Sequence, residues 1–223
     1  MAIIQEIELI KSKIGQYQKD GKIMFAGSSF QTHSIPMLHI LSEIDNRIPV
    51  YFLNTGYLFP ETIAYRDEIA SKFKLNVIDL KSPTPRNMQK DSNGRLFFTS
   101  DPDFCCHLNK IQPLEPILQQ FDVWINGVRA DQNANRAQMK EEQQTPHRAK
   151  RYHPMLHWSK KMIWDYIREY QIPHHPLDKE GYVSIGCEPC TRKIDISQMG
   201  DERMARWFGL NKTECGLHTE LVK

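Results

Sequence analysis

No apolar run in this chain approaches the roughly 20 residues that a bilayer-spanning helix needs, so no membrane anchor is expected. The first residues, Met1-Ala2-Ile3-Ile4-Gln5-Glu6-Ile7-Glu8, carry acids early and no basic segment, which speaks against a secretory signal. Neither sign of charge dominates: 29 basic and 27 acidic residues leave a formal net charge of +2. Bulk nucleic-acid binding leaves a strongly basic signature, so no nucleic-acid partner is expected, although a local basic pocket for a small anion remains compatible. The Walker P-loop, the dinucleotide fingerprint, internal repeats and low-complexity tracts are all missing. Cysteine is scarce as well, five residues in 223. An odd count without a signal segment argues against a disulfide framework and for a reducing compartment, so a cytoplasmic location is expected.

A mass of 26.1 kDa and 40% hydrophobic residues suit one large domain with an appended tail. Apolar spacing of three or four over Ile4, Ile7, Ile10, Ile14 and Tyr17 predicts a helix across 4–18. Strand-like runs follow at Lys22–Ala26, Pro49–Leu53, Asn76–Leu80 and Val123–Asn126. Between them lie helical patterns near 35–41, with Thr32 as N-cap, near 62–73, and from the cysteine pair to Leu118, with Pro113 as a kink. Residues 128–153, polar and poor in apolar anchors, read as a long mobile loop or lid, and 159–170 as one more amphipathic helix. Strands alternating with helices predict an α/β fold, an open and mostly parallel sheet flanked by helices. After Gly186 the signals weaken, so the last thirty or so residues are expected to pack less firmly than the core.

In an open parallel sheet, ligands bind beyond the carboxyl ends of the strands. The first such end is Gly27-Ser28-Ser29-Phe30-Gln31-Thr32-His33-Ser34, whose small residues allow backbone N–H groups to approach a phosphate. Taken alone it also reads as an ordinary polar turn. Two further ends strengthen it: Asn54-Thr55-Gly56, and Asn126-Gly127-Val128-Arg129 with Arg136 and Arg148 beyond. Glycine at a strand end with arginine just past it suits an anionic nucleotide.

Four of the five cysteines form two close pairs, Cys105-Cys106 and Cys187-Glu188-Pro189-Cys190. Gathered from two places, four thiolates can hold a soft metal or an iron–sulfur cluster. A lone zinc more often draws on C-x-x-C type pairs on both sides, so adjacent cysteines lean toward a cluster. Buried structural thiols and a redox-active C-x-x-C remain alternatives, the latter weakened by its late position in a loop. Cys215, in Thr213-Glu214-Cys215-Gly216-Leu217-His218, has no partner left. Cationic neighbours such as His218, Arg203 and Arg206 would lower its pKa and populate a nucleophilic thiolate.

On these residues the chain resembles the sulfonucleotide reductases, specifically the cluster-containing adenylyl-sulfate reductases. The matching stretches are Asn54–Thr62, Cys105-Cys106, Lys110, Gly127-Val128-Arg129, Ser184–Arg192, Arg203–Trp207 and Glu214–His218. The resemblance implies an adenine-nucleotide-α-hydrolase-like fold, with a nucleotide-binding reductase domain over 1–195 and a mobile tail over 196–223. It implies a 4Fe–4S cluster on Cys105, Cys106, Cys187 and Cys190. It implies that Cys215 attacks adenosine 5′-phosphosulfate, that AMP leaves, and that thioredoxin or a similar dithiol releases sulfite from an S-sulfocysteine. Ser28, Ser29, Lys110, Gly127, Arg129, Arg136, Arg203 and Arg206 would hold the substrate. A preference for 3′-phosphoadenylyl sulfate, or acceptance of both nucleotides, is the alternative reading, and homo-oligomer formation is left open. The loop at Ser28–Ser34, Asn54 and Asn109 depart from the pattern common in this family.

Overall fold

The computed structural model describes residues 2–193, 205–207, 212, 214–218 and 221. Helix α1 (Ala2–Lys19) packs Ile7, Ile10, Ile14 and Tyr17 into the core, while Ile4 turns outward at 62% exposure. It stops where Gly21 adopts φ +66°. Gly21 N–H bonds Gln18 C=O and Lys22 N–H bonds Tyr17 C=O, the paired bonds of a glycine C-cap. The chain continues as β1 (Met24–Gly27), α2 (Ile35–Asp45), β2 (Val50–Leu53), α3 (Pro60–Lys72) and β3 (Val77–Leu80). Short helices α4 (Phe97–Ser100) and α5 (Pro102–Cys106) lead through a π-turn (His107–Ile111) into α6 (Gln112–Gln120). Then come β4 (Val123–Asn126), α7 (Ala134–Ala137), β5 (Glu142–Gln143), β6 (Lys150–Tyr152) and α8 (Lys160–Glu169).

The six strands form one sheet in the order β3-β2-β1-β4-β6-β5, parallel except for the β5–β6 pair at its edge. β1 pairs with β4 from Met24 opposite Val123 to Gly27 opposite Asn126. Alternation along these buried strands sorts side chains between two faces. Met24, Ala26, Val123 and Ile125 join α1, α2 and α8 in one core, while Phe25 and Trp124 face α6 through Leu114 and Leu118 in the other. This is the α/β architecture expected. No described helix is long and apolar enough to cross a membrane.

Four local expectations are corrected. Residues 128–153 are no lid: they contribute β5 and β6, anchored by Ala149, Arg151, Tyr152 and His153, all buried. Thr32 is not the N-cap of α2; that position belongs to Ser34, and the Thr32 hydroxyl instead donates to Asp178 at 2.5 Å. Cys105-Cys106 closes α5 rather than opening a helix, because Asp101 caps Phe104 N–H three residues earlier and Pro102 starts the turn. Pro113 sits in the first turn of α6, just past the π-turn, where its missing N–H costs little. Most of the expected mobile tail, 196–223, lies outside the described residues; those described within it at 205–207, 214–216 and 221 are buried.

Glu142 ties the sheet edge to α1. It accepts from the Tyr17 hydroxyl and pairs with Lys13 at 3.0 Å and Lys150 at 2.9 Å. Burial alone would raise its pKa, but Tyr17, Lys150 and Lys13 outweigh burial and hold it at about 2, against an ordinary 4.5. A depressed carboxylate stabilises the fold above its unfolded pKa and loses that contribution as pH falls through the folded value. Urea denaturation of wild type and Glu142→Gln should therefore differ by a constant margin at neutral pH. That margin should shrink between pH 4.5 and about 2.

Candidate active site

The strand order reverses between β1 and β4, because the chain builds outward from β1 to β3 and then restarts on the other side. Such a reversal opens a crevice past the strand ends. There a cavity of about 190 Å³ is lined by Ser28, Ser29, Lys110, Gly127, Arg136, Arg206 and Cys215. Arg129, only 2% exposed, bonds Asp131 at 2.9 Å and lines a neighbouring cavity with His33, Lys160 and Asp178 instead. Arg203 and the side chain of His218 lie outside the described residues.

The loop after β1 is held in an unusual shape. Phe30 has φ +51°, a region that bulky residues rarely adopt and that costs on the order of 1–3 kcal/mol. Its fully buried ring, edge-on to Phe52 at 5.5 Å, opposes that cost. Phe30 N–H donates to the Ser28 hydroxyl at 3.1 Å, and Gln31 donates to the Ser29 hydroxyl at 3.2 Å. A side chain at Gly27 would meet Trp124 Nε1 at 2.7 Å, so only glycine lets β1 pass the indole.

Lys110 is placed by the π-turn, a device common at functional sites. Gln112 N–H reaches back five residues to His107 C=O. Asn109 turns inward, exchanging bonds of 2.9 and 2.7 Å with Gln89 and donating to Cys105 C=O at 2.9 Å. Lys110 Nζ lies 3.7 Å from Cys215 Sγ. Burial works to lower the Lys110 pKa, but Cys215, Cys106 and Cys187 reverse that effect and the net shift is upward. The ammonium is therefore a fixed positive charge.

The other four cysteines line one small cavity together with Tyr57, Phe98 and Trp207. Glu188 N–H bonds Tyr57 C=O at 2.7 Å, and the Thr55 hydroxyl meets Cys187 Sγ at 3.3 Å, so the C-x-x-C turn hangs on the end of β2. The segment 205–207 pairs back along 190–192 through Arg192 N–H to Ala205 C=O and Trp207 N–H to Cys190 C=O. Arg206 donates to Ile185 C=O at 3.3 Å and stacks over Trp207. A Cβ on Gly186 would fall 2.2 Å from its guanidinium, which explains the glycine. Burial, then repulsion from Cys187 and Cys190, push the Cys105 thiol up to about 11. Burial and Cys187 raise Cys190 as well. Cys105, Cys106, Cys187 and Cys190 thus converge on one shared cavity. Among the described residues no set of three His, Cys, Asp or Glu side chains is arranged to hold a single metal ion.

Three contributors escaped the sequence reading. Glu214, 4% exposed, pairs with Arg136 through two bonds and accepts Cys215 N–H at 2.8 Å. Asn133 donates to the same carboxylate at 2.9 Å. Arg151, fully buried over the Trp124 ring, donates to Leu217 C=O. Burial brings its pKa down to about 10, with Cys215 opposing the shift. A buried arginine breaks the apolar alternation by which a strand is recognised, so β6 and its cation were hidden together.

A family profile described as the phosphoadenosine phosphosulfate reductase domain matches residues 23–193. The chain is 36% identical over 206 residues to an adenosine 5′-phosphosulfate reductase of Bacillus cytotoxicus, covering 91% of this chain and 86% of the relative. It is 34% identical over 200 residues to a phosphoadenosine 5′-phosphosulfate reductase of Gloeobacter violaceus, covering 89% and 83%. Its fold is similar to that of a phosphoadenylyl-sulfate reductase from Candida auris in a phosphate complex. That match has a TM-score of 0.69 at 17% identity and covers 82% of this chain and 88% of the other. A Candida glabrata FMN adenylyltransferase shares the fold at a TM-score of 0.60 and 15% identity, over 86% of this chain and 65% of that one.

Removing the Asn109 amide strands the buried Gln89 side chain. Asn109→Ala should cost about 1–3 kcal/mol of stability, the usual penalty for an unsatisfied buried polar group. Chemical denaturation measures it, and an unchanged midpoint would show that the pair bears no load.

Proposed function

The chain belongs to the phosphoadenosine phosphosulfate reductase family, and from that premise we propose that it converts adenosine 5′-phosphosulfate to sulfite and AMP through a sulfonated Cys215. It is an oxidoreductase acting on a sulfonucleotide in sulfate assimilation. The observation that supports the finer reading is the placement of Cys215. It stands 3.7 Å from Lys110 Nζ on the cation-lined cleft, beside the adjoining cavity of Cys105, Cys106, Cys187 and Cys190, with Cys187 bordering both spaces and Cys106 in hydrogen-bond reach of Cys215.

Ser28, Ser29 and Gly127 offer small groups to the nucleotide's phosphate side at the strand ends. Lys110 and Arg206 face the phosphosulfate, and Arg136 lines the same cavity with its guanidinium turned to Glu214. Arg129 contributes from the adjoining cavity, and Arg203 is a further candidate. The Cys215 thiolate attacks the sulfur of the phosphosulfate; a sulfur–sulfur bond forms, and the sulfur–oxygen bond to phosphate breaks. AMP departs with the electron pair, and its developing charge meets the fixed cations. A partner dithiol, thioredoxin or similar, then attacks Cys215 Sγ and expels sulfite with the bonding pair. Its second thiol resolves the mixed disulfide, so the partner leaves oxidised and Cys215 returns as thiolate.

Cys105, Cys106, Cys187 and Cys190 are the residues that would hold a 4Fe–4S cluster, which when bound supplies a rigid electrostatic element beside Lys110. The proposal takes 1–195 as the reductase domain, 196–223 as the segment carrying the nucleophile, and the cytoplasm as its location. The Gloeobacter relative supports one alternative, a preference for the 3′-phosphorylated substrate; comparing rates on the two nucleotides decides between them.

Mixed with adenosine 5′-phosphosulfate and no reductant, the protein should gain the mass of one sulfonate on Cys215. Cys215→Ser should gain none. An unmodified wild type would refute the covalent route.

A further inference from the structure

The nucleophile is held in place by a buried ion pair. Arg136 Nε donates to Glu214 Oε2 at 2.9 Å and Nη2 to Oε1 at 3.2 Å, so the forked edge of the guanidinium is filled by a carboxylate. Its remaining nitrogen, Nη1, bonds Gln132. Asn133 donates to Oε2 at 2.9 Å, and the Cys215 backbone N–H donates to Oε1 at 2.8 Å. Arg136 is 7% exposed and Glu214 is 4% exposed. The carboxylate thus sits on the two-residue link between a helix of the reductase body and the reactive sulfur. An anion in the cleft cannot use the same guanidinium edge while Glu214 occupies it.

We propose that Arg136 and Glu214 form a latch that docks Cys215 over the cleft, so that Arg136 serves the reaction as a positioning residue rather than as a primary anion ligand. This rests on the assignment of Cys215 as nucleophile. The latch aligns the sulfur with Lys110 while the substrate is bound. Opening it is the step that exposes the sulfonated cysteine to the partner dithiol, because a buried sulfur is closed to attack by another protein.

The test measures three quantities on Glu214→Gln, Arg136→Lys and the double variant: carbamidomethylation of Cys215 by iodoacetamide, AMP affinity, and sulfonation rate from adenosine 5′-phosphosulfate. Loss of the latch should speed alkylation and slow sulfonation, each by about tenfold or more, as truncating one partner of a buried pair does. AMP affinity should stay within about twofold, and the double variant should be no worse than the single ones, since both remove one interaction. If Glu214→Gln does not fold, Asn133→Ala removes the 2.9 Å support of the carboxylate together with the 2.8 Å cap on Arg136 N–H, loosening both ends of the latch, and should shift alkylation in the same direction. Unchanged alkylation, or a loss of AMP affinity in Arg136→Lys alone, overturns the proposal. A wild type that takes no sulfonate refutes the reductase chemistry and leaves the alkylation test standing.

Discussion

One buried ammonium borders both chambers of this molecule. Lys110 lines the cleft at the strand ends and the four-cysteine cavity alike. Putting an unpaired lysine there would be costly, since burial penalises its charge. Sulfur from both sides makes it tolerable: Cys215, Cys106 and Cys187 together more than cancel the burial effect. The dependence is mutual. A neighbouring cation favours the ionised form of a thiol, and sulfur around the ammonium favours its charged form. The π-turn sets this balance, inserting one residue into the helical path so that Asn109 faces Gln89 while Lys110 faces Cys215.

Much of this was legible in the residues. Buried strands advertise themselves through unbroken apolar runs, so β1, β2 and β4 followed from Met24–Ala26, Val50–Leu53 and Val123–Ile125, and the half-buried β3, interrupted by Asp79, from its place in the alternation of strands and helices. The pairing of Cys105-Cys106 with Cys187 and Cys190 was legible because cysteine is rare and spacing is informative; the structure does bring the four to one cavity. What stayed hidden was polar structure in the interior. Arg151 and His153 are both fully buried, yet their residue types read as surface loop. Glu214 reads as a tail acid until Arg136, far away in the chain, is seen to close on it. Periodicity records which side chains avoid water, and it is silent where charge is buried against charge.

The departures from the family's usual pattern gain a physical meaning. At Asn109 the side-chain amide is committed to Gln89 and the Cys105 carbonyl. It stiffens the helix that carries the cysteine pair without adding charge beside Lys110. Asn54 donates to Asp79 at 2.7 Å, and Asp79 also receives Arg66. A carboxylate at that position would face another carboxylate, so the asparagine is matched to its partner.

The same kind of reasoning joins the nucleotide side to the cysteine side. Gln31, in the loop after β1, accepts Ile185 N–H at 2.9 Å, two residues before Cys187. Thr32 accepts His175 N–H at 2.7 Å and donates to Asp178, and the other face of His175 meets the Thr62 hydroxyl at 3.0 Å. Burial lowers the pKa of His175 to about 4, so near neutral pH the ring is uncharged and can serve as acceptor and donor in the same chain of bonds. The loop after β1, the helix after β2 and the approach to the C-x-x-C turn therefore share one hydrogen-bonded frame. A movement of Ser28 or Ser29 on ligand binding cannot be absorbed by that loop alone, because its neighbours Gln31 and Thr32 are tied to the segment that ends at Cys187. The loop after β1 and the cysteine turn are consequently parts of one bonded unit, against which Cys215 is docked by Glu214, by Lys110 and by the Arg151 bond to Leu217 C=O.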